Sequence, residues 1–281
     1  MKRIVILVVL VGLAGIAGVV VRSSSGMAEL RELVSHNAAD DVRQEMRQSY
    51  ELAPGARVDL GGINGSVKIE TADTKTAEVY IERTASCQEA MDRRKIDIEA
   101  EANKLSIHGE TVEHSFFAKL FGSKASERVT LKLPRQISLY AKGVNGSFVV
   151  GEIEGPVELG GINGKVNIAN AVGSATFKGI NGNIVVGMKS IAQDGVTLSG
   201  INGNIELQLP DGVNADFDAH GMNGRVIADL PNVSIDKSRR GNYWARIGNG
   251  GSGITAKGIN GNIRLTRATG SAPPAAVSTE N

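Results

Sequence analysis

Seven times the chain writes a glycine, an apolar residue and then Asn-Gly, in units that open at Gly62, Gly143, Gly161, Gly179, Gly200, Gly221 and Gly258. From Gly143 to Gly221 the steps are 18, 18, 21 and 21 residues. So even a spacing is what a chain needs when each repeat forms one layer of a stack. After each Asn-Gly comes a polar residue, then an apolar column (Val67, Phe148, Val166, Ile184, Ile205, Val226, Ile263) and another two residues on, the period of a half-buried strand. A third apolar column lies two residues before each opening glycine, so the phase slips there and the chain bends.

Asn-Gly accepts positive φ readily, which suits a hairpin and equally a corner between stacked layers. Recurrence at one phase favours the stack, because each turn then lies on the one before. The expected structural turns are Asn64-Gly65, Asn145-Gly146, Asn163-Gly164, Asn181-Gly182, Asn202-Gly203, Asn223-Gly224 and Asn260-Gly261. Stacking lets their amides form a ladder along the axis. The fold expected is all-β, a single-chain β-solenoid of short strands with Asn-Gly turns, preceded by an apolar helix and a short helical stalk.

Residues 1–26 begin Met1-Lys2-Arg3 and run from Ile4 to Val21 without a charge, as a signal peptide or membrane anchor does. Residues 27–50 read as the helical stalk, from Leu30, Leu33 and Val34 at helical spacing. Residues 51–267 are the repeat domain, and 268–281, rich in Ala, Pro, Ser and Thr, a disordered tail. The net charge of +1 gives no field that would draw nucleic acid, and 4% aromatic residues with 35 glycines suit a narrow core of many turns. Cys87 is the single cysteine, so there is no internal disulfide and no cysteine pair for a metal.

The repeated "GINGxI" units, the opening "PGARVDLGGINGSVKIE", the middle "ERVTLKLPRQISLYAKGVNGSFVV" and the apolar N-terminus resemble a bacterial family of envelope proteins labelled "putative adhesin". That family is related to the toastrack-type β-solenoids of envelope-stress proteins. The resemblance covers roughly Glu51 to Arg267. It implies a β-solenoid outside the cytoplasmic membrane, at its outer face or in the periplasm, with no known catalytic residues.

Catalytic patterns are sparse. Gly248 to Gly253 fits G-x-G-x-x-G but leads into a strand, where a dinucleotide needs a helix N-terminus. Ser234-Ile235-Asp236-Lys237 fits S-x-x-K without a helix around it. Asp216, Asp218 and His220 alternate along one strand face, as a hydrolytic pair or metal site does, yet Ala215, Phe217 and Ala219 explain the alternation as core against solvent. No cofactor or metal site is expected. Two segments stand out as possible partner contacts: Phe116, Phe117, Leu120 and Phe121 in "SFFAKLFG", otherwise a cap over the end of the stack, and Tyr243 with Trp244 in "KSRRGNYWAR". The expected function is a non-catalytic exported scaffold or adhesin-like module for an unknown protein or envelope partner, held to the membrane if the N-terminal segment is retained. The alternative is a β-helix hydrolase or lyase acting on polysaccharide.

Overall fold

The computed structural model describes residues 35–36, 42–111, 125–231 and 233–268. The apolar N-terminal run, the "SFFAKLFG" segment and the tail beyond Ala268 lie outside the described residues. The strands in chain order are β1 (Ser35–His36), β2 (Val42–Glu51), β3 (Ala56–Gly61), β4 (Gly65–Ala72), β5 (Thr76–Ala85), β6 (Arg94–Glu101), β7 (Lys104–Thr111), β8 (Ala125–Pro134), β9 (Ile137–Val144) and β10 (Phe148–Ile153). They continue as β11 (Val157–Ile162), β12 (Val166–Lys178), β13 (Ile184–Ser199), β14 (Ile205–Leu209), β15 (Ala215–His220), β16 (Val226–Asp229), β17 (Ser234–Arg239), β18 (Asn242–Ile247), β19 (Ser252–Lys257) and β20 (Ile263–Arg267). One helix, α1 (Gln88–Arg93), interrupts them. The described residues are nearly all β, and their strands join in one continuous hydrogen-bonded sheet.

Each repeat sends one strand into each of two lines. The first line pairs as β1, β2, β5, β8, β4, β10, β12, β13, β14, β20, β16. The second pairs as β6, β7, β3, β9, β11, β12, β13, β19, β15, β18, β17. The long strands β12 and β13 serve both lines, their first halves in one and their second halves in the other, with register shifts at the bend. Parallel pairing is possible here because each strand reaches its neighbour's equivalent only after a full circuit, a crossover long enough to reverse direction twice.

Side chains of the repeat strands alternate between core and solvent. Val58 and Leu60, Val67 and Ile69, or Ile205 and Leu207 point in and are nearly fully buried, stacked on the same columns of adjacent layers. Phe148, Phe177 and Phe217, each 0% exposed, are the largest fully buried side chains of this core. Burying one such side chain is worth about 1.5–3 kcal/mol.

Two expectations are corrected. The helical stalk over 27–50 does not hold where it is described: residues 42–51 are a strand, paired antiparallel along its whole length with β5. Val42 packs there with Ala85, Ala90 and Met91, while Arg43 faces out, so period-two alternation sets the state of this segment. Nor does every turn lie on the one before. The layer opened by Gly258 sits between those opened by Gly200 and Gly221, as the bridges Asn202 to Asn260 and Asn260 to Asn223 show. The reason is that the hairpin strand β18 already occupies one edge of β15, leaving β19 the other. At the opposite end β7 and β8 lie outside β3 and β4, and the antiparallel strands β6, β5 and β2 close that end.

Candidate functional site

The corner carrying the repeated motif uses its two glycines for different reasons. Gly200 sits at φ +61°, and a Cβ there would lie 3.8 Å from the nearest atom of the adjoining layer, so conformation alone selects glycine. Gly203 sits at φ +156°, and its Cβ would stand 2.2 Å from the carbonyl oxygen of Gly182. Close approach of the next layer excludes a side chain there, and the positive φ, which side chains rarely adopt, adds to the demand for glycine. The left-handed turn that the sequence suggested for Asn-Gly is therefore made by the opening glycine.

The asparagines of the seven turns form one line. Asn145 Nδ2 donates to Asn64 Oδ1 at 3.0 Å, Asn163 to Asn145 at 3.0 Å, Asn181 to Asn163 at 3.1 Å and Asn202 to Asn181 at 3.1 Å. Asn260 donates to Asn202 at 2.9 Å and Asn223 to Asn260 at 2.9 Å, following spatial order instead of chain order. At the far end Asn64 Nδ2 donates to the Ala125 carbonyl at 2.7 Å, and Glu127 Oε2 accepts from the Asn64 backbone N–H at 2.8 Å. Arg94 holds that carboxylate from the other side through Nε at 2.9 Å and Nη2 at 2.8 Å. The Glu127 side chain is 1% exposed, and its parity with Val129 and Leu131 in "SERVTLKLP" was the overlooked signal that it points inward.

The large hydrophobic residues left exposed among the described ones are Ile227 and Trp244, and both belong to the end of the stack opposite β2. Ile227 borders a shallow depression of about 320 Å³ on the outer face of the first line, floored by Asn183, Asn204 and Asn262 and flanked by Glu206 and Arg264. Asn183 and Asn204 side chains there accept backbone N–H bonds from the next layer, so they are committed to stacking.

The structure separates Tyr243 from Trp244. Tyr243 is 8% exposed, packs in the core, and donates its hydroxyl to the Gly224 carbonyl at 2.9 Å, closing the last corner. Trp244 is 41% exposed, with Asp218 and Asp236 as its cross-strand neighbours and the Arg246 guanidinium 5.5 Å from its ring centroid. Phe116, Phe117, Leu120 and Phe121 lie outside the described residues.

Asp216, Asp218 and His220 share the outer face of β15 but do not converge as a catalytic set. Asp216 accepts from the Gly251 N–H at 3.1 Å and from Arg246 Nε at 3.2 Å, and these bonds hold its carboxyl below the usual range. Asp218 contacts His220 Nε2 at 3.0 Å. Of the Gly248 to Gly253 motif, residues 248–251 form the turn between β18 and β19 and the rest opens β19, with no helix after it. Among the described residues no cluster of three or more His, Cys, Asp or Glu side chains is placed to hold a metal, and no helix is long and apolar enough to cross a membrane.

No family model and no curated protein matches the chain. Solved structures similar to it include the following bacterial proteins. A putative cell adhesion protein from Clostridium sporogenes is 12% identical with a TM-score of 0.38, the match covering 79% of this chain and 99% of the other. A putative adhesin from Bacteroides fragilis is 10% identical at a TM-score of 0.27, over 79% and 96%. A putative lipid binding protein from Parabacteroides distasonis is 11% identical at 0.23, over 79% and 94%. Likenesses this distant leave the function to be argued from the chain's own surface.

Proposed function

We propose that the chain is a non-catalytic exported envelope protein, a β-solenoid whose rigid outer faces are presented to a protein or cell-surface partner. The observation that carries this reading is the unbroken asparagine line from Asn223 to Asn64, which ties the seven repeats into one rod in spatial order. The carboxylates weighed for hydrolysis are engaged elsewhere, Asp216 with Gly251 and Arg246 and Asp218 with His220. A retaining or inverting glycosidase needs two carboxyls facing each other across a substrate bond. Export follows from the basic start and the apolar run Ile4 to Val21, and retention of that run would anchor the rod with its β2 end nearest the membrane. The polysaccharide hydrolase or lyase is the second reading, supported by the carboxylates beside Trp244.

The test is fractionation of cells expressing the full chain with a reporter after Asn281, combined with incubation of the purified protein with polysaccharide substrates. Extracytoplasmic reporter and uncut substrate support the proposal. A cytoplasmic reporter overturns export, and release of shortened sugar chains promotes the second reading.

A further inference from the structure

One outward row of the second line runs along most of the molecule. Pairing places Tyr140 of β9, Glu158 of β11, Thr176 of β12 and Thr197 of β13 side by side. The row continues through Thr255 of β19 and Asp218 of β15 to Trp244 of β18. Six strand-to-strand steps of about 4.8 Å separate the two rings, about 29 Å in all. An arginine lies over one face of each ring, Arg57 at 3.7 Å from the Tyr140 centroid and Arg246 at 5.5 Å from that of Trp244, which leaves the opposite face to stack on a ligand. The three threonines between them are half-buried and occupy consecutive layers, and their hydroxyls have no partner among the described residues.

Flat apolar rings bordered by hydroxyls, carboxylates and guanidinium groups match the two aspects of a pyranose, a C–H face that stacks and a rim of hydroxyls that both donate and accept. Charge narrows the class. Asp59 and Asp236 prolong the row beyond each ring, but Asp59 is paired with Arg57, Glu158 lies 3.9 Å from Lys178 and Asp218 contacts His220, so the carboxylates are largely offset and the row presents no strong field to draw a charged glycan. A protein interface centred on Trp244 would want apolar neighbours, whereas its cross-strand partners are Asp218 and Asp236. We infer that this row, from Tyr140 to Trp244, is a binding track for a linear neutral polysaccharide. The inference rests on the non-catalytic reading and names the partner for it.

Trp244 is the chain's one tryptophan, so its fluorescence reports the track directly. Cellohexaose and chitohexaose titrated into the full chain should shift the emission saturably, and polygalacturonate should not. By calorimetry, Trp244→Ala should weaken hexaose binding about tenfold, the loss of one aromatic contact. Its melting temperature should match the parent's, because the side chain is 41% exposed. Emission unmoved by both hexaoses, a response to polygalacturonate alone, or undiminished binding by Trp244→Ala overturns the track while leaving the exported scaffold standing. Shortening of the hexaose during the titration overturns the non-catalytic reading instead.

Discussion

Gly200 and Gly203 stand three residues apart in one corner and should fail differently. Asparagine tolerates the left-handed region, so Gly200→Asn should cost about 1 kcal/mol or less, whereas Gly203→Ala drives a methyl into a backbone carbonyl that cannot move aside and should cost about 2 kcal/mol or more. Denaturant midpoints of the two variants check this, and equal losses would contradict the distinction. Asp216 gives a pH-dependent counterpart. Its carboxyl titrates below its ordinary value because of Gly251 and then Arg246, so its contribution to stability is present above about pH 4 and is lost as pH falls through the lowered folded value. In an NMR titration Arg246→Ala should raise the midpoint of Asp216 and still leave it below the ordinary value, since the Gly251 bond remains. That the two glycines mattered was legible from recurrence alone. Which one supplies the turn and which the clearance was not, because clearance depends on the neighbouring layer.

At the scale of the element, the asparagine line explains why the motif holds Asn-Gly and never Asp-Gly. An amide both donates and accepts, and each link is worth about 0.5–1.5 kcal/mol. Asn181→Ala removes the links to Asn163 and Asn202 and should cost about 1–2 kcal/mol. Asn181→Asp keeps the acceptor but turns a carboxylate oxygen toward Asn163 Oδ1. Folding then favours the protonated acid, so this variant should approach the parent's stability below about pH 4 and lose stability as pH rises. Thermal melts across that range check the sign, and a pH-independent deficit would contradict it. The strands of residues 51–267 were readable from alternation, as at Ile205 and Leu207. Strand β2 was less so, because the apolar spacing that suggested a helix lies in Leu30 to Val34 and the charges of "VRQEMR" obscure the period-two pattern that follows. Trp244 was visible as an oddity, but separating it from buried Tyr243 required the pairing of β18 with β15.

For the whole molecule, sequence periodicity predicts layers without fixing their order. Local pattern is the same in every repeat, so nothing in "KGINGNI" at Lys257 distinguishes a last layer from an inserted one. The hairpin β17–β18 decides, by covering the outer edge of β15. The same hairpin shields that edge from pairing with other chains, as charged β2 and β6 do at the opposite end. Insertion also makes the proposed track continuous: Thr197 and Asp218 are neighbours only through Thr255.

That arrangement can be tested by thiol bridging in a Cys87→Ser background, using dibromobimane, which fluoresces when it joins two close cysteines. Thr197→Cys with Thr255→Cys places the thiols one layer apart, about 4.8 Å, and should give strong fluorescence, as should Thr255→Cys with Asp218→Cys. Thr197→Cys with Asp218→Cys lies two layers apart, about 10 Å, and should stay dark. Bright labelling of the Thr197 and Asp218 pair with a dark Thr197 and Thr255 pair would mean that the layers stack in chain order, and would contradict both the inserted repeat and the continuous row built on it.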